Sequence, residues 1–152
     1  MPKRIPIRFR RKILIAGAAA LAVCAGAALV AQPTKTVWDG VYTEEQATRG
    51  EAIYFDKCVR CHGPTLMGGG EGAGPLQGPT FHGNWNGVAL GDMLDRVRVS
   101  MPLDKPATLS RQQTADVLAY IFSVNKFPAG KTELSRQTEI LNTIQFKATK
   151  NP

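Results

Sequence analysis

Apolar residues along this 152-residue chain fall into one long continuous run and three later segments of helical periodicity. The continuous run covers residues 13–31, which carry no charge and are mostly Ala, Leu, Ile, Val and Gly. In the segments 43–62, 88–100 and 110–125 the apolar side chains recur every three or four residues, as on one face of an α-helix. The pattern predicts an N-terminal apolar segment followed by a domain with three main helices.

The first of these helices is predicted to begin at Thr43. Thr43 and Gln46 have the spacing of a capping box, and the two glutamates between them suit the positive end of the helix dipole. Gly50 costs about 1 kcal/mol in a helix interior, so it is either a tolerated glycine or the place where another helix crosses closely. The inward positions lead directly to two cysteines: Ala47, Gly50, Tyr54, Cys58 and Cys61.

The second predicted helix is amphipathic, and the third is apolar on more than one side. The second ends before Pro102, because proline lacks an N–H donor and disfavours the helical conformation at Met101, which we place in an extended turn. The third begins with another capping-box pattern, Ser110 with Gln113, and ends near Asn125. The inward residues of the second helix are Leu90, Met93, Leu94 and Val97.

The remaining segments lack sustained periodicity. Residues 63–83 contain eight glycines and three prolines, so we predict a loop that packs on an apolar surface. Residues 32–42 are predicted to be an extended leader in which Trp38 packs onto the domain. Residues 131–152 carry scattered apolar side chains and are predicted to be a C-terminal tail packed on the domain, which itself covers residues 43–130.

The net charge of +7 comes mostly from the N-terminus. Six basic residues precede the apolar run, and the rest of the chain has 13 basic and 12 acidic residues. A cationic head before an apolar run is the layout of a secretory signal, which indicates a periplasmic or exported protein and argues against nucleic-acid binding. Residues 1–31 are therefore a signal peptide, cleaved after an Ala25-x-Ala27 site, or an uncleaved membrane anchor that spans the bilayer with residues 13–31.

Two cysteines and a histidine stand together in Cys58-Val59-Arg60-Cys61-His62. In a C-x-x-C-H motif each thiol can form a thioether to a haem vinyl group, and the histidine reaches the iron from the same side. A zinc site usually needs four ligands, and Cys24 and His82 are the other Cys and His residues. A thioredoxin-like pair would follow a strand, whereas the preceding pattern is helical. The motif predicts one covalently bound haem c.

The second axial ligand of the iron is predicted to be Met101. Its thioether stands in the extended turn, thirty-nine residues after His62, and can approach the opposite face of the haem. Met67 follows His62 too closely to reach that face, while Met93 and His82 remain as alternatives. A ligating imidazole normally donates its second N–H to a fixed acceptor, for which the Pro75 carbonyl is well placed, although Pro75 could also merely shape a turn.

The C-x-x-C-H motif, the Met101-Pro102 turn and a final helix with Leu118-Ala119-Tyr120 occur in the order typical of class I monohaem c-type cytochromes, which residues 43–128 resemble. The resemblance implies an all-α fold, with three or more helices and long loops wrapped around one haem. It implies that the first and last helices cross at Gly50, Tyr54, Val117 and Tyr120. It also implies that Pro75 orients His62 and that Trp85 approaches a haem propionate. The remaining haem environment is predicted to include Leu66, Phe81, Leu94 and Val97.

These predictions describe an electron-transfer protein, which makes and breaks no substrate bond. Its partners are expected to be redox proteins: an exported dehydrogenase as donor and an oxidase or another cytochrome as acceptor. The chain could diffuse between them or be the bound haem subunit of a complex, and it lacks the lysine-rich face of mitochondrial-type cytochromes. The alternative is a haem enzyme or gas-binding protein with an open sixth position, where His82 is the candidate base.

Overall fold

The computed structural model describes residues 35–69 and 72–150, so the predicted signal or anchor segment lies outside the described residues. The described ranges form six α-helices, and none of these is long and apolar enough to cross a membrane. The all-α prediction is confirmed. The helices are α1 (Glu44–Lys57), α2 (Val59–His62), α3 (Gly78–Trp85), α4 (Leu90–Ser100), α5 (Arg111–Val124) and α6 (Thr138–Leu141). Two short strands, β1 (Lys35–Thr36) and β2 (Ile144–Gln145), pair in parallel.

Helices α1 and α5 cross in close contact at Gly50, as the resemblance implied. A Cβ atom on Gly50 would lie 1.8 Å from the carbonyl oxygen of Asp116 and 3.0 Å from Cβ of Tyr120. One turn further along α1, the rings of Tyr54 and Tyr120 meet with their centroids 5.3 Å apart. Gly50 is therefore needed for the approach of the two backbones, and it is more than a tolerated glycine.

The predicted capping box of α1 is only half correct. The Thr43 hydroxyl accepts a hydrogen bond from the backbone N–H of Gln46 at 3.2 Å. The Gln46 side chain, however, is fully buried and turns to the tail, where it donates to the carbonyl of Leu134 at 3.1 Å and accepts from its N–H at 2.6 Å. A buried amide needs partners for its donor and its acceptor, and the Leu134 backbone supplies both.

The predicted loop over residues 63–83 is too long, because its last part begins helix α3. Pro79 stands in the first turn of this helix, where a missing N–H removes no hydrogen bond and the fixed φ angle is suitable. Phe81 anchors the helix in the core. The glycines and prolines of residues 63–83 are thus compatible with a loop followed by the start of a short helix.

Helices α4 and α5 agree with their predictions. Leu90, Met93 and Leu94 are buried, Val97 packs against the core from its edge, and Met101 follows α4 with extended backbone angles of φ −120° and ψ 151°. At the start of α5, Ser110 and Gln113 form both hydrogen bonds of a capping box. These two helices carry local signals in sequence that the structure follows.

The segments at both ends of the described chain are more ordered than predicted. Residues 37–39 form a 3-10 turn that begins with its own capping box, where an extended leader was expected. Trp38 packs on Phe127 as predicted, with ring centroids 4.7 Å apart, and its indole N–H donates to the carbonyl of Lys147. In the tail, Phe146 is fully buried. The two ends therefore pack on the core and on each other.

We expect Gly50→Ala to lower the free energy of unfolding by about 3 kcal/mol, because the new methyl group would overlap the Asp116 carbonyl. Gly83→Ala is the matched control: Gly83 lies inside α3, and its added Cβ would meet no atom within 4 Å. The control should gain about 0.5 kcal/mol from helix propensity. Thermal unfolding of the two variants would check this, and equal stabilities would contradict the close crossing.

Gln46→Glu should destabilise the protein by about 3 kcal/mol, because it removes the donor to Leu134 and buries a carboxylate against a carbonyl oxygen. Gln113→Glu is the matched control at the same position of the other capping pattern. Gln113 is exposed and only accepts a hydrogen bond from the Ser110 N–H, a role that a carboxylate also performs. Denaturant unfolding should show the control unchanged within about 0.5 kcal/mol.

Candidate functional site

The C-x-x-C-H motif follows α1 directly and forms a tight helical turn. Cys58 ends α1 and begins α2, and its carbonyl accepts hydrogen bonds from the N–H groups of Cys61 at 3.2 Å and His62 at 3.0 Å. Residues three apart in such a turn lie on the same side, so both half-buried thiols face one direction. Burial, with smaller contributions from Cys61 and Asp56, raises the pKa of the Cys58 thiol to about 11. In the chain without haem, this thiol is therefore protonated at neutral pH.

The ring of His62 is oriented by a backbone carbonyl. Its Nδ1 lies 2.9 Å from the carbonyl oxygen of Gly74. Because a carbonyl only accepts, Nδ1 must donate, which leaves the lone pair on Nε2 for a metal. The predicted acceptor was the carbonyl of Pro75, and the structure places it one residue earlier. Pro75 contributes indirectly, since its ring restrains the backbone of the preceding residue to extended conformations.

The chain next to His62 is held by two further hydrogen bonds that sequence reasoning missed. The hydroxyl of Tyr54 donates to the carbonyl of Gly63 at 2.6 Å, and the N–H of Gly68 donates to the carbonyl of His62 at 3.0 Å. Burial raises the pKa of Tyr54, so its hydroxyl stays protonated and can donate. The available signal was a tyrosine on an inward helix face, because a buried hydroxyl needs a partner.

Met101 lies in the extended turn after α4 and is half buried. Three residues later, Asp104 forms an ion pair with Arg60 of the C-x-x-C-H motif, with a nitrogen-to-oxygen distance of 3.2 Å. The two other candidate methionines have different surroundings: Met93 is buried in the core, and Met67 is 60% exposed. The ion pair makes the Met101 turn a neighbour of the motif that contains His62.

The residues predicted to surround the haem belong to one apolar cluster. Leu66, Phe81 and Leu94 are buried in it, while Trp85 and Val97 pack against it from partly buried positions. The half-buried Cys58 and Leu76 contact the same cluster. The ring of Trp85 lies beside Phe81, with centroids 6.4 Å apart. The motif and its predicted environment therefore share a single apolar core.

His82 is held by Asn125. The side-chain NH2 of Asn125 donates to the carbonyls of Leu76 at 2.9 Å and Ile121 at 2.8 Å, so its side-chain oxygen is the acceptor. This oxygen lies 2.8 Å from Nε2 of His82, which must therefore donate. The ring also packs near Phe127, at a centroid distance of 5.5 Å. Nε2 is thus engaged inside the protein, and the His82 ring lies among aromatic side chains.

The donor groups of this site fit a covalently bound haem. Two thiols face one side of a helical turn, and the adjoining imidazole keeps its Nε2 lone pair because Nδ1 donates to Gly74. The described residues contain no group of three or more His, Cys, Asp and Glu side chains that could hold a metal ion, so the zinc alternative finds no further ligands there. Cys58, Cys61 and His62 are the residues that would hold the group.

A comparison with protein families supports the same cofactor. The sequence profile of the family described as cytochrome c oxidase, cbb3-type, subunit III matches residues 45–121, just over half of the chain. This range includes the C-x-x-C-H motif, α1 except its first residue, α2 to α4, the Met101 turn and most of α5. Curated proteins and solved structures gave no match. The chain therefore belongs to the family described as cytochrome c oxidase, cbb3-type, subunit III, and is a monohaem c-type cytochrome with a covalently bound haem c.

Proposed function

We propose that this cytochrome is a one-electron carrier with His/Met ligation. Cys58 and Cys61 hold the haem through thioether bonds, and His62 and Met101 bind the iron from opposite faces. When bound, the haem supplies the redox chemistry, the uptake and release of one electron at the iron. The protein supplies the ligands and an apolar environment, so the proposal includes no bond-making step on a substrate.

The observation that carries the proposal is the contact between the C-x-x-C-H motif and the Met101 turn. The pair of Arg60 and Asp104 is exposed at both ends, so it contributes little to stability. The ion pair is informative because it brings together two segments that are more than forty residues apart in sequence. The proximity of the two segments supports Met101 as the second axial ligand.

The two ligands have complementary effects on the iron. Donation from Nδ1 of His62 to the Gly74 carbonyl fixes the ring and makes the imidazole a stronger ligand. The thioether of Met101 favours the ferrous state and raises the reduction potential. Buried Leu66, Phe81 and the α4 residue Leu94 keep water from the site, which limits the rearrangement that accompanies a change of oxidation state.

The partners that we propose are other redox proteins. The matching family is described as a subunit of a cytochrome c oxidase. This description favours a role for the protein in carrying electrons to an oxidase. An exported dehydrogenase is the proposed donor, and the periplasm or another exported location the proposed compartment. N-terminal sequencing of the mature protein would decide whether residues 13–31 are removed or kept as an anchor, and co-purification would identify a stable partner.

Met101→Ala should abolish the low-spin His/Met signature in the visible and near-infrared spectra, because the iron loses its thioether ligand. The reduction potential should fall, since the thioether stabilises the ferrous state. Met67→Ala is the matched control, and because Met67 is 60% exposed it should leave both the spectrum and the potential unchanged. Spectroelectrochemistry of the two variants measures both quantities.

An unchanged spectrum of Met101→Ala would contradict the ligand assignment. Carbon monoxide distinguishes electron transfer from the enzyme or gas-binding alternative. With Met101 bound, the reduced protein should react slowly or not at all with carbon monoxide, and Met101→Ala should react rapidly. Rapid binding by the unmodified protein would favour an open sixth position and would reject the proposal.

A further inference from the structure

We propose that Asn125 is a positioning residue for the iron ligand His62: it fixes the backbone segment whose carbonyl at Gly74 orients the imidazole. The inference rests on the proposed role of His62 as an axial ligand. Asn125 lies at the C-terminal end of α5, outside the matched family range of residues 45–121, and is 9% exposed. Its side chain is hydrogen-bonded to other residues than His62 and Gly74, so its effect passes through the loop.

The amide of Asn125 uses its whole hydrogen-bonding capacity. Its NH2 group donates to the carbonyls of Leu76 and Ile121, at 2.9 and 2.8 Å. Its oxygen accepts from the N–H of Gly78 at 3.2 Å and from Nε2 of His82 at 2.8 Å. An asparagine side chain has two donor hydrogens and two acceptor lone pairs, and all four are matched here. A buried amide that is fully satisfied holds its partners in one arrangement.

Leu76 is the point where this amide controls the loop. Its carbonyl accepts from Asn125, and its own N–H donates to the carbonyl of Leu66 at 2.7 Å, so both backbone polar groups are fixed. Pro75, the next residue toward His62, has a φ angle locked by its ring. Gly74 directly precedes Pro75 in the chain, and its carbonyl accepts the hydrogen bond from Nδ1 of His62. One rigid residue therefore separates the anchored peptide from the carbonyl that orients the ligand.

Within the loop, the N–H of Gly69 donates to the carbonyl of Ala73 at 3.2 Å, which holds the backbone on the side of Gly74 away from Leu76. Gly74 has no side chain, and an added Cβ would meet nothing within 4 Å, so no side-chain contact of its own holds this residue. Glycine also has the largest conformational freedom of any residue. The position of the Gly74 carbonyl therefore depends also on the anchored residues that follow it. Among these, Leu76 is tied through Asn125 to the end of α5, an element of the buried core.

The consequence concerns the strength of one hydrogen bond. If the Leu76 carbonyl is released, the Gly74 carbonyl gains freedom and the bond to Nδ1 of His62 opens more often. The imidazole then becomes a weaker donor to the iron, which disfavours the ferric state and raises the reduction potential. The Nδ1 proton should also exchange with solvent more rapidly, because exchange occurs from the open form.

The test uses the full haem-loaded protein and two substitutions at one position. Asn125→Leu removes all four hydrogen bonds without adding charge, so both the potential and the exchange rate can be read. Asn125→Asp keeps the acceptor for Gly78 and His82 and loses the donors, which spares more of the fold. Its added charge would itself shift the potential, so for this variant only the exchange rate is read.

His82→Phe is the control. It removes the bond between His82 and Asn125 but leaves the donation to Leu76, and a phenyl ring suits the neighbouring Phe127 and Phe146. Exchange of the His62 Nδ1 proton, followed by NMR of the reduced protein, should be about tenfold faster in both Asn125 variants than in the control. The potential should rise in Asn125→Leu and stay at the unmodified value in the control.

Wild-type exchange rates in both Asn125 variants, with reduced thermal stability alone, would show that Asn125 only supports the fold and would overturn the inference. Asn125→Asp decides the question if Asn125→Leu does not fold. The proposed function has a separate test in the NMR spectrum of the unmodified protein. If the His62 ring signals lack the shifts of a haem ligand, the ligand assignment and this inference are both rejected.

Discussion

The site depends on the close contact between α1 and α5 at Gly50. Because Gly50 has no side chain, the backbone of α1 lies against the carbonyl of Asp116 near the middle of α5. This one contact fixes the directions of both helices. Helix α1 leads into the C-x-x-C-H motif and so places His62, whereas α5 ends at Asn125, whose amide holds the loop at Leu76. The donor and the acceptor of the His62 hydrogen bond are therefore both positioned from the same helix pair.

The C-terminal tail joins this helix pair to the element that precedes Met101. Near its start the tail contacts α1, where the backbone of Leu134 forms two hydrogen bonds with the buried side chain of Gln46. It then reaches α4, where the hydroxyl of Thr138 donates to Asp95 at 3.0 Å. Since α4 leads directly into the Met101 turn, the tail connects the supports of both proposed iron ligands. The tail supplies no iron ligand itself, but it constrains the distance between α1 and α4, which lead to His62 and Met101.

Local sequence signals predicted the helices better than they predicted what individual polar side chains do. The patterns at Thr43 and Ser110 are alike, each with a glutamine three residues later, and both hydroxyls cap a helix. Gln113 completes its box because it is exposed and has no stronger partner. Gln46 is drawn into the core by Leu134, eighty-eight residues away, and this long-range pairing has no local sequence signal. Burial, which depends on the whole fold, decided between the two outcomes.

The same distinction applies to the site. Covalent chemistry demands fixed spacing between two thiols and an imidazole, so the C-x-x-C-H motif could be recognised without a structure. The orienting carbonyl could not, because every residue has one; Gly74 and Pro75 are equally good acceptors until the backbone path is known. His82 was ambiguous for a related reason, since a histidine can donate or accept at either nitrogen. Its role became clear only from Asn125, whose two donated hydrogen bonds leave an acceptor facing Nε2. Counting donors and acceptors around buried groups therefore assigns roles that sequence spacing leaves open.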